Sequence, residues 1–264
     1  MQKQKTPIKN QTIESGVQLF ARIKSEQYQA LNGINPKLFP EGGPFGNQVI
    51  EVVFNQEDTD YTDFLMDFIV RAILPSRLSP EFKESNVILL QSDFHMDIKK
   101  IIKVIEKKLD QNNIKKNNRV PIIEETLKRL VILNCYNSDI LEISFHNLER
   151  IINNCQNPGL VVLDNCLSQY WTKKFMNCRL SFDEHCIKTV DSLFEKIKDL
   201  NVVLMYGRTC TTTNTDNLKR GNQVSYVINI VKNSKLSYTA CVTNLEKNCS
   251  NQVHFNVKGG VEFF

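Results

Sequence analysis

The sequence predicts an α/β fold: a mostly parallel sheet with helices on both faces, extended by antiparallel strands at its C-terminal end. Two observations predict it. Five short apolar runs rich in β-branched residues alternate, for the most part, with stretches whose apolar residues recur every three or four positions. Beyond residue 220 the pattern changes to short alternating runs joined by compact polar segments, the pattern of antiparallel strands.

In order, residues 1–40 hold a basic polar start, a short helix around "ESGVQLFARI" and part of the turn-rich "NGINPKLFPEGGPFG". Pro36, Pro40, Gly42, Gly43 and Pro44 punctuate that stretch too densely for a regular element, so residues 1–45 read as an extension and linker and 46–264 as one core domain. "VIEVVF", residues 49–54, reads as a strand covered on both faces. A helix follows from about Asp63, with Phe64, Leu65, Phe68, Ile69, Ala72 and Ile73 as its apolar stripe, and Pro75 ends it. "NVILL" and "DIKKIIKVIEKKL" repeat the order, and the polar "DQNNIKKNNR" reads as a mobile surface loop. "RLVILNC" precedes a helix from about Asp139 to Asn153, where Asp139 and Glu142 have capping-box spacing. Asn157-Pro158-Gly159 reads as a turn before the strand "LVVLD", residues 160–164. Ser181 and Glu184 open a helix over 182–199, and "NVVLMY", residues 201–206, is the fifth strand. "QVSYVINIV", "KLSYTACV" and "QVHFNV" complete the sheet as antiparallel strands.

A chain of 264 residues with 41% apolar content has material for a sizeable core. No apolar run approaches the roughly 20 residues that cross a bilayer, and the start Met1-Gln-Lys-Gln-Lys leads into no signal-like segment. No membrane partner and no export are expected. The eight cysteines include no CxxC pair and read as reduced, mostly buried residues of a cytosolic or nuclear protein. Cys178, His185 and Cys186 do not have the spacing of a zinc site. The net charge of +4 permits nucleic-acid contact without implying it.

In a parallel sheet of this kind, ligands sit beyond the carboxyl ends of the strands. The loop after the first strand and Asp164 at the end of the fourth occupy the places where a phosphate-loop nucleotidase holds a polyphosphate and its magnesium. Against GxxxxGK[ST], however, Asn55 and Asp60 replace the glycines, Tyr61 replaces the lysine, and only Thr62 keeps its type. Glu57, Asp58, Asp60 and Asp63 add four carboxylates where a triphosphate would lie. These acids suit a helix start, where they oppose the dipole and cap N–H groups. No ATP or magnesium is expected to bind. A cation held by Asp58, Asp60 and Asp164 is a weaker reading, since the spacing is not that of an EF-hand. His95, His146, His185 and His254 stand apart from any nucleophile motif, so no catalytic residue is expected. "GRTC", residues 207–210, with Thr211, Thr212, Thr213 and Asn214, reads as a loop.

Lys99, Lys100, Lys103, Lys107, Lys108, Lys115, Lys116 and Arg119 oppose only Glu106 and Asp110, a local net of +6. Such a cluster is either the solvated face of an amphipathic helix or a track for a DNA backbone. Lys100, Lys103, Lys107, Lys115 and Lys116, with Lys219 and Arg220, are the candidate contacts. For a protein partner, Phe20, Leu38, Phe39 and Phe45 are candidate anchors.

Taken in order, "ESGVQLFARI", "INPKLFP", "RAILP", "SDFHMDI", "LVVLDNCLSQYW" and the closing "GGVEF" resemble the recombinase paralogue family related to RecA, most closely a member lacking the usual N-terminal helical domain. The resemblance covers about residues 14–206 and the last dozen. It implies a RecA-like core acting in homologous recombination, in the nucleus, within small hetero-oligomers that support a recombinase filament on single-stranded or branched DNA at breaks and stalled forks. The implied partner is another recombinase paralogue. By resemblance, the phosphate loop lies at 55–62, the carboxylate after the second strand is Asp93, the magnesium-associated aspartate is Asp164, and the polar sensor is near Thr209. Because the loop has lost both glycines and the lysine, the expectation is a non-catalytic subunit whose nucleotide site is vestigial. Residues 207–258 are shorter than in such relatives, which implies reduced DNA-facing loops. Two alternatives are an active ATPase with an unusual loop and a free-standing single-stranded DNA binder.

Overall fold

Strand β1 (Val49–Asn55) lies at the centre of a nine-stranded sheet, and its residues alternate between two apolar layers. The computed structural model of the chain describes residues 15–16, 30–55, 61–93, 96–176, 179–210, 218–257 and 260–264. The other strands are β2 (Asn86–Gln91), β3 (Leu130–Asn134), β4 (Pro158–Leu163), β5 (Val203–Cys210), β6 (Val224–Lys232), β7 (Ser237–Asn244), β8 (Cys249–Val257) and β9 (Val261–Phe263). Their order across the sheet is β3-β2-β4-β5-β1-β6-β7-β8-β9. Pairing is parallel from β3 through β6 and antiparallel from β6 to β9. The fold is therefore α/β and RecA-like, with antiparallel strands at the C-terminal end, as the pattern of runs predicts.

Among the described residues, six α-helices flank the sheet: α1 (Tyr61–Ile73), α2 (Ile98–Gln111), α3 (Arg119–Leu127), α4 (Ser138–Asn154), α5 (Tyr170–Met176) and α6 (Phe182–Ile197). Ile50, Val52 and Phe54 face the layer containing Phe64, Phe68 and Ile69 of α1 and Ile101 and Ile105 of α2. Val49 and Val53 face the layer containing Leu141 and Phe145 of α4 and Val190 and Leu193 of α6. A period of two in the strands thus meets a period of 3.6 in the helices on both sides. The antiparallel strands bury Tyr238, Ala240 and Val242 of β7 and Val253 and Phe255 of β8 against the first layer only, which explains their alternation in sequence.

The structure differs from the sequence reading in several places. Residues 30–45 are rich in turns as expected, yet Leu31, Ile34, Leu38 and Phe39 belong to the first core layer. Of the helix around "ESGVQLFARI" only Ser15 and Gly16 lie within the described residues. "DQNNIKKNNR" is not a loose loop: Arg119 donates two hydrogen bonds to the Ile114 carbonyl, at 2.9 and 2.8 Å, pairs with Asp110, and opens α3. Pro121 sits in the first turn of that helix, where its missing N–H is harmless. Helix α4 is capped by Asn137, whose side chain accepts from Ile140 N, so Asp139 lies in the first turn rather than at the cap. β4 starts at Pro158, inside the expected turn, because Asn86 N reaches the Asn157 carbonyl at 2.6 Å. "GRTC" is strand, since β5 continues its pairing with β1 as far as Asn55 opposite Cys210. Helix α5 and strand β9 were not anticipated. The capping box at the head of α6 was: Ser181 Oγ accepts from Glu184 N, and a Glu184 carboxylate oxygen accepts from Ser181 N.

One close approach fixes how far β4 and β5 extend side by side. A Cβ on Gly207 would lie 2.1 Å from the Asp164 carbonyl oxygen, and the Gly207 carbonyl accepts from Cys166 N at 2.9 Å. Neither backbone atom can swing away as a side chain would. Gly207→Ala is expected to cost about 3 kcal/mol, the upper part of the range for overpacking, read as a lower midpoint in urea denaturation; an unchanged midpoint would mean that the two strands are free to part.

Candidate functional site

The site predicted from sequence lies at the carboxyl edge of the parallel strands. Asn55 ends β1, and Tyr61 and Thr62 open α1; the Thr62 side chain is buried and Asp63 is half-buried. Glu57, Asp58 and Asp60 fall outside the described residues. His95 falls outside them too. Thr209 is half-buried on β5, directly opposite Phe54.

Asp164 follows β4 immediately and is 1% exposed. Its Oδ1 accepts from Ser92 N at 2.8 Å, from Ser92 Oγ at 2.5 Å and from Asn165 N at 2.8 Å, while Oδ2 accepts from Asp93 N at 3.1 Å. An ionised carboxylate has about four acceptor positions, so these four donors use its capacity. Burial pushes the Asp164 carboxyl up, the hydrogen bonds from Ser92 and Asp93 pull it down, and the Asp93 charge pushes it up again. Asp93 is drawn into the same knot, its Oδ2 accepting from Asn165 Nδ2 at 3.0 Å. The structure thus brings Asp93 and Asp164 together as the resemblance implies, but it joins them through chain donors. Among the described residues no group of three or more His, Cys, Asp or Glu side chains is placed to hold a metal.

Beside this knot is a buried charge network that the sequence reading missed. Glu51, 0% exposed in the middle of β1, accepts from Arg208 Nη1 at 3.0 Å and also from Arg220 Nε. Arg208 donates further to the Lys219 carbonyl at 2.9 Å and to Asp183 in the first turn of α6. Burial opposes the Arg208 charge, but the neighbouring Cys186 sulfur and the Glu51 carboxylate outweigh it, and the guanidinium is held above its ordinary value. The available signal was a glutamate inside an otherwise apolar strand. A charge there requires a buried partner.

The basic cluster divides in the structure. Lys99, Lys100, Lys103, Lys115 and Lys116 are exposed. Lys108 is buried, paired with Asp67 at 2.6 Å, and donates to the Val261 carbonyl at 3.4 Å. Lys107 pairs with Glu262 at 2.7 Å and donates to the Gly260 carbonyl at 3.2 Å. These two lysines fasten the C-terminal "GGVEF" to α2, so the candidate DNA contact Lys107 is already engaged within the chain. Arg220 is likewise engaged with Glu51, whereas Lys219 is exposed. Of the proposed partner anchors, Leu38 and Phe39 are core residues; Phe39 packs edge-on to Phe68 and Tyr226. They therefore offer no outward surface. Phe45 is 40% exposed, and Phe20 lies outside the described residues.

The described cysteines are free thiols, most of them buried, as their composition and spacing suggest. Cys178 lies outside the described residues, and Cys186 Sγ is 3.0 Å from Cys166 Sγ. His185 is 3% exposed. Burial, and then the charge of Lys173, push its pKa down to about 4, against a hydrogen bond to the Cys166 backbone that raises it. The ring is neutral at physiological pH, and its Nε2 has no hydrogen-bond partner.

No family model matches the chain. It is 26% identical over 204 residues to the DNA repair protein XRCC2 of Mus musculus, a match that takes in 74% of this chain and 67% of that protein. This likeness supports a relationship to the XRCC2-like paralogues of RecA, in keeping with the sheet described above.

Two outcomes follow from the local geometry. With magnesium chelated, Asp164→Asn is expected to lower stability by about 2 to 3 kcal/mol, because one acceptor becomes a donor facing an N–H group; a carboxylate reserved for a cation would tolerate the change, and an unaltered urea midpoint would contradict the assignment. On acidification the unfolded chain protonates His185 near 6.5, whereas the folded ring does so only near 4. Its effect is therefore a loss of stability that begins as pH falls through 6.5 and levels off near 4, worth about 3 kcal/mol. Denaturation curves of His185→Gln should be flatter across that window, and identical curves would assign the acid sensitivity elsewhere.

Proposed function

We propose that the chain is a non-catalytic, RecA-like subunit of a recombinase-paralogue complex that supports homologous-recombination repair of DNA double-strand breaks and stalled forks in the nucleus. The observation that carries this reading is the saturated carboxylate of Asp164, set within a chain similar to a DNA repair protein. A group that would organise magnesium for ATP is instead a structural acceptor.

The sequence of the altered loop supports the same conclusion. Asn55, Asp60 and Tyr61 stand at the two glycine positions and the lysine position, and Glu57, Asp58, Asp60 and Asp63 surround them. One carboxylate held about 4 Å from a phosphate charge repels it by roughly 4 kcal/mol at an effective dielectric near 20. That is about a thousandfold in affinity. With no lysine to offset it, the expected cofactor requirement is none, for ATP and magnesium alike. The function left to the domain is association: with another recombinase paralogue, and with single-stranded or branched DNA through the complex. The exposed Lys100, Lys103, Lys115, Lys116 and Lys219 are the side chains available for backbone contact.

The test has two parts. The tagged chain, purified from the cells in which it is made, is expected to carry a second recombinase paralogue in stoichiometric amount, identified by mass; recovery alone under gentle conditions would contradict the complex. Calorimetry of the purified chain with magnesium and millimolar ATP is expected to show no saturable heat. Micromolar binding lost on changing Thr62 would restore the nucleotide site and overturn the non-catalytic assignment.

A further inference from the structure

Helices α4, α5 and α6 surround a groove of about 420 Å³ that the reading above does not use. Its walls are apolar, from Leu141 and Phe145 of α4, Met176 of α5 and Leu180, and at its base lies His185 of α6. The volume falls within the ~300–1,000 Å³ of sites that accept a ligand. Around its mouth the chain exposes large apolar side chains: Trp171 is 59% exposed, Phe175 89% and Met176 85%. Clustered exposure of this kind marks a contact surface.

Two features define what the groove accepts. The first is His185. One ring nitrogen is engaged by the Cys166 backbone, and Nε2, buried and without a partner, faces the groove as a lone-pair acceptor. An occupant that buries this nitrogen must bring it a donor. The second is charge. Lys173 and Lys188 line the groove against the single carboxylate of Glu142, so the flanks favour negative residues. Only tyrosine and tryptophan combine a large apolar ring with an N–H or O–H at its edge.

We propose that this groove docks a partner protein segment that inserts a tyrosine or tryptophan flanked by acidic residues, the ring against Leu141, Phe145, Met176 and Leu180 and its donor on His185 Nε2. The proposal is independent of the repair assignment, so either can fail alone. It is tested by selecting a phage-displayed random peptide library on the full chain, with counter-selection on Met176→Glu/Lys188→Glu, two exposed positions whose change leaves the core intact. Groove-dependent peptides are expected to share a tyrosine or tryptophan within two residues of Asp or Glu. In a synthetic peptide, changing that residue to phenylalanine should weaken binding at least tenfold, and binding should shift the His185 ring resonances. His185→Phe is expected to abolish the preference for tyrosine over phenylalanine; should that variant fail to fold, Lys188→Glu should still weaken the acidic peptide several-fold. No groove-dependent peptide, a consensus lacking a ring donor, or equal binding of the phenylalanine peptide would each overturn the proposal.

Discussion

Asp164 is the hinge of the structure. It lies where the sheet opens towards ligand in this class of fold, yet both its oxygens are directed at donors of its own chain. Those donors come from the end of β2 and from the residue after Asp164, so the same bonds hold the ends of β2 and β4 in register. Gly207 brings β5 against the Asp164 carbonyl. A buried carboxylate is tolerated only when its lone pairs are met, and here the backbone meets them. The edge that a nucleotide enzyme keeps open for phosphate and metal is in this chain an element of stability.

The charges nearby follow the same logic on a larger scale. Glu51, Arg208, Arg220 and Asp183 link the centre of β1, the end of β5, the approach to β6 and the head of α6. Asp67, Lys108 and Arg71 do the same for α1 and α2, and the neighbouring Lys107 and Arg71 reach the last strand through Glu262 and the Phe263 ring. Desolvation takes back much of the attraction in such pairs, so they add little net stability over apolar packing. Their effect is to specify one arrangement, since removing a single member leaves a buried charge unmatched. The antiparallel end of the sheet is fastened to the parallel part by this means as well as by the first core layer.

The two sides of the molecule consequently differ in what they offer. The carboxyl edge is internally satisfied around Asp164 and Glu51. The groove between α4, α5 and α6 is not, since it holds an unpaired ring nitrogen and an exposed aromatic rim. Lost polyphosphate chemistry and retained capacity for contact are compatible because the sheet needs no phosphate to remain folded.

By itself the sequence determined the layering. Apolar runs of strand length, helical stripes and the Ser181–Glu184 box depend on local periodicity and capping, and each element formed close to where the pattern put it. The sequence also carried the loss of the glycines and lysine in the phosphate loop, because those positions are defined by residue type and spacing. Only the tertiary structure decided which charges face water. Lys107 and Lys108 stand in one basic run with Lys100 and Lys103, but a residue 153 positions away determines whether each is a free cation or a clamp. The same holds for Leu38 and Phe39 in a turn-rich segment, for Glu51 in an apolar strand and for the saturation of Asp164. Partners distant along the chain set the solvation of a side chain, and periodicity carries no record of them.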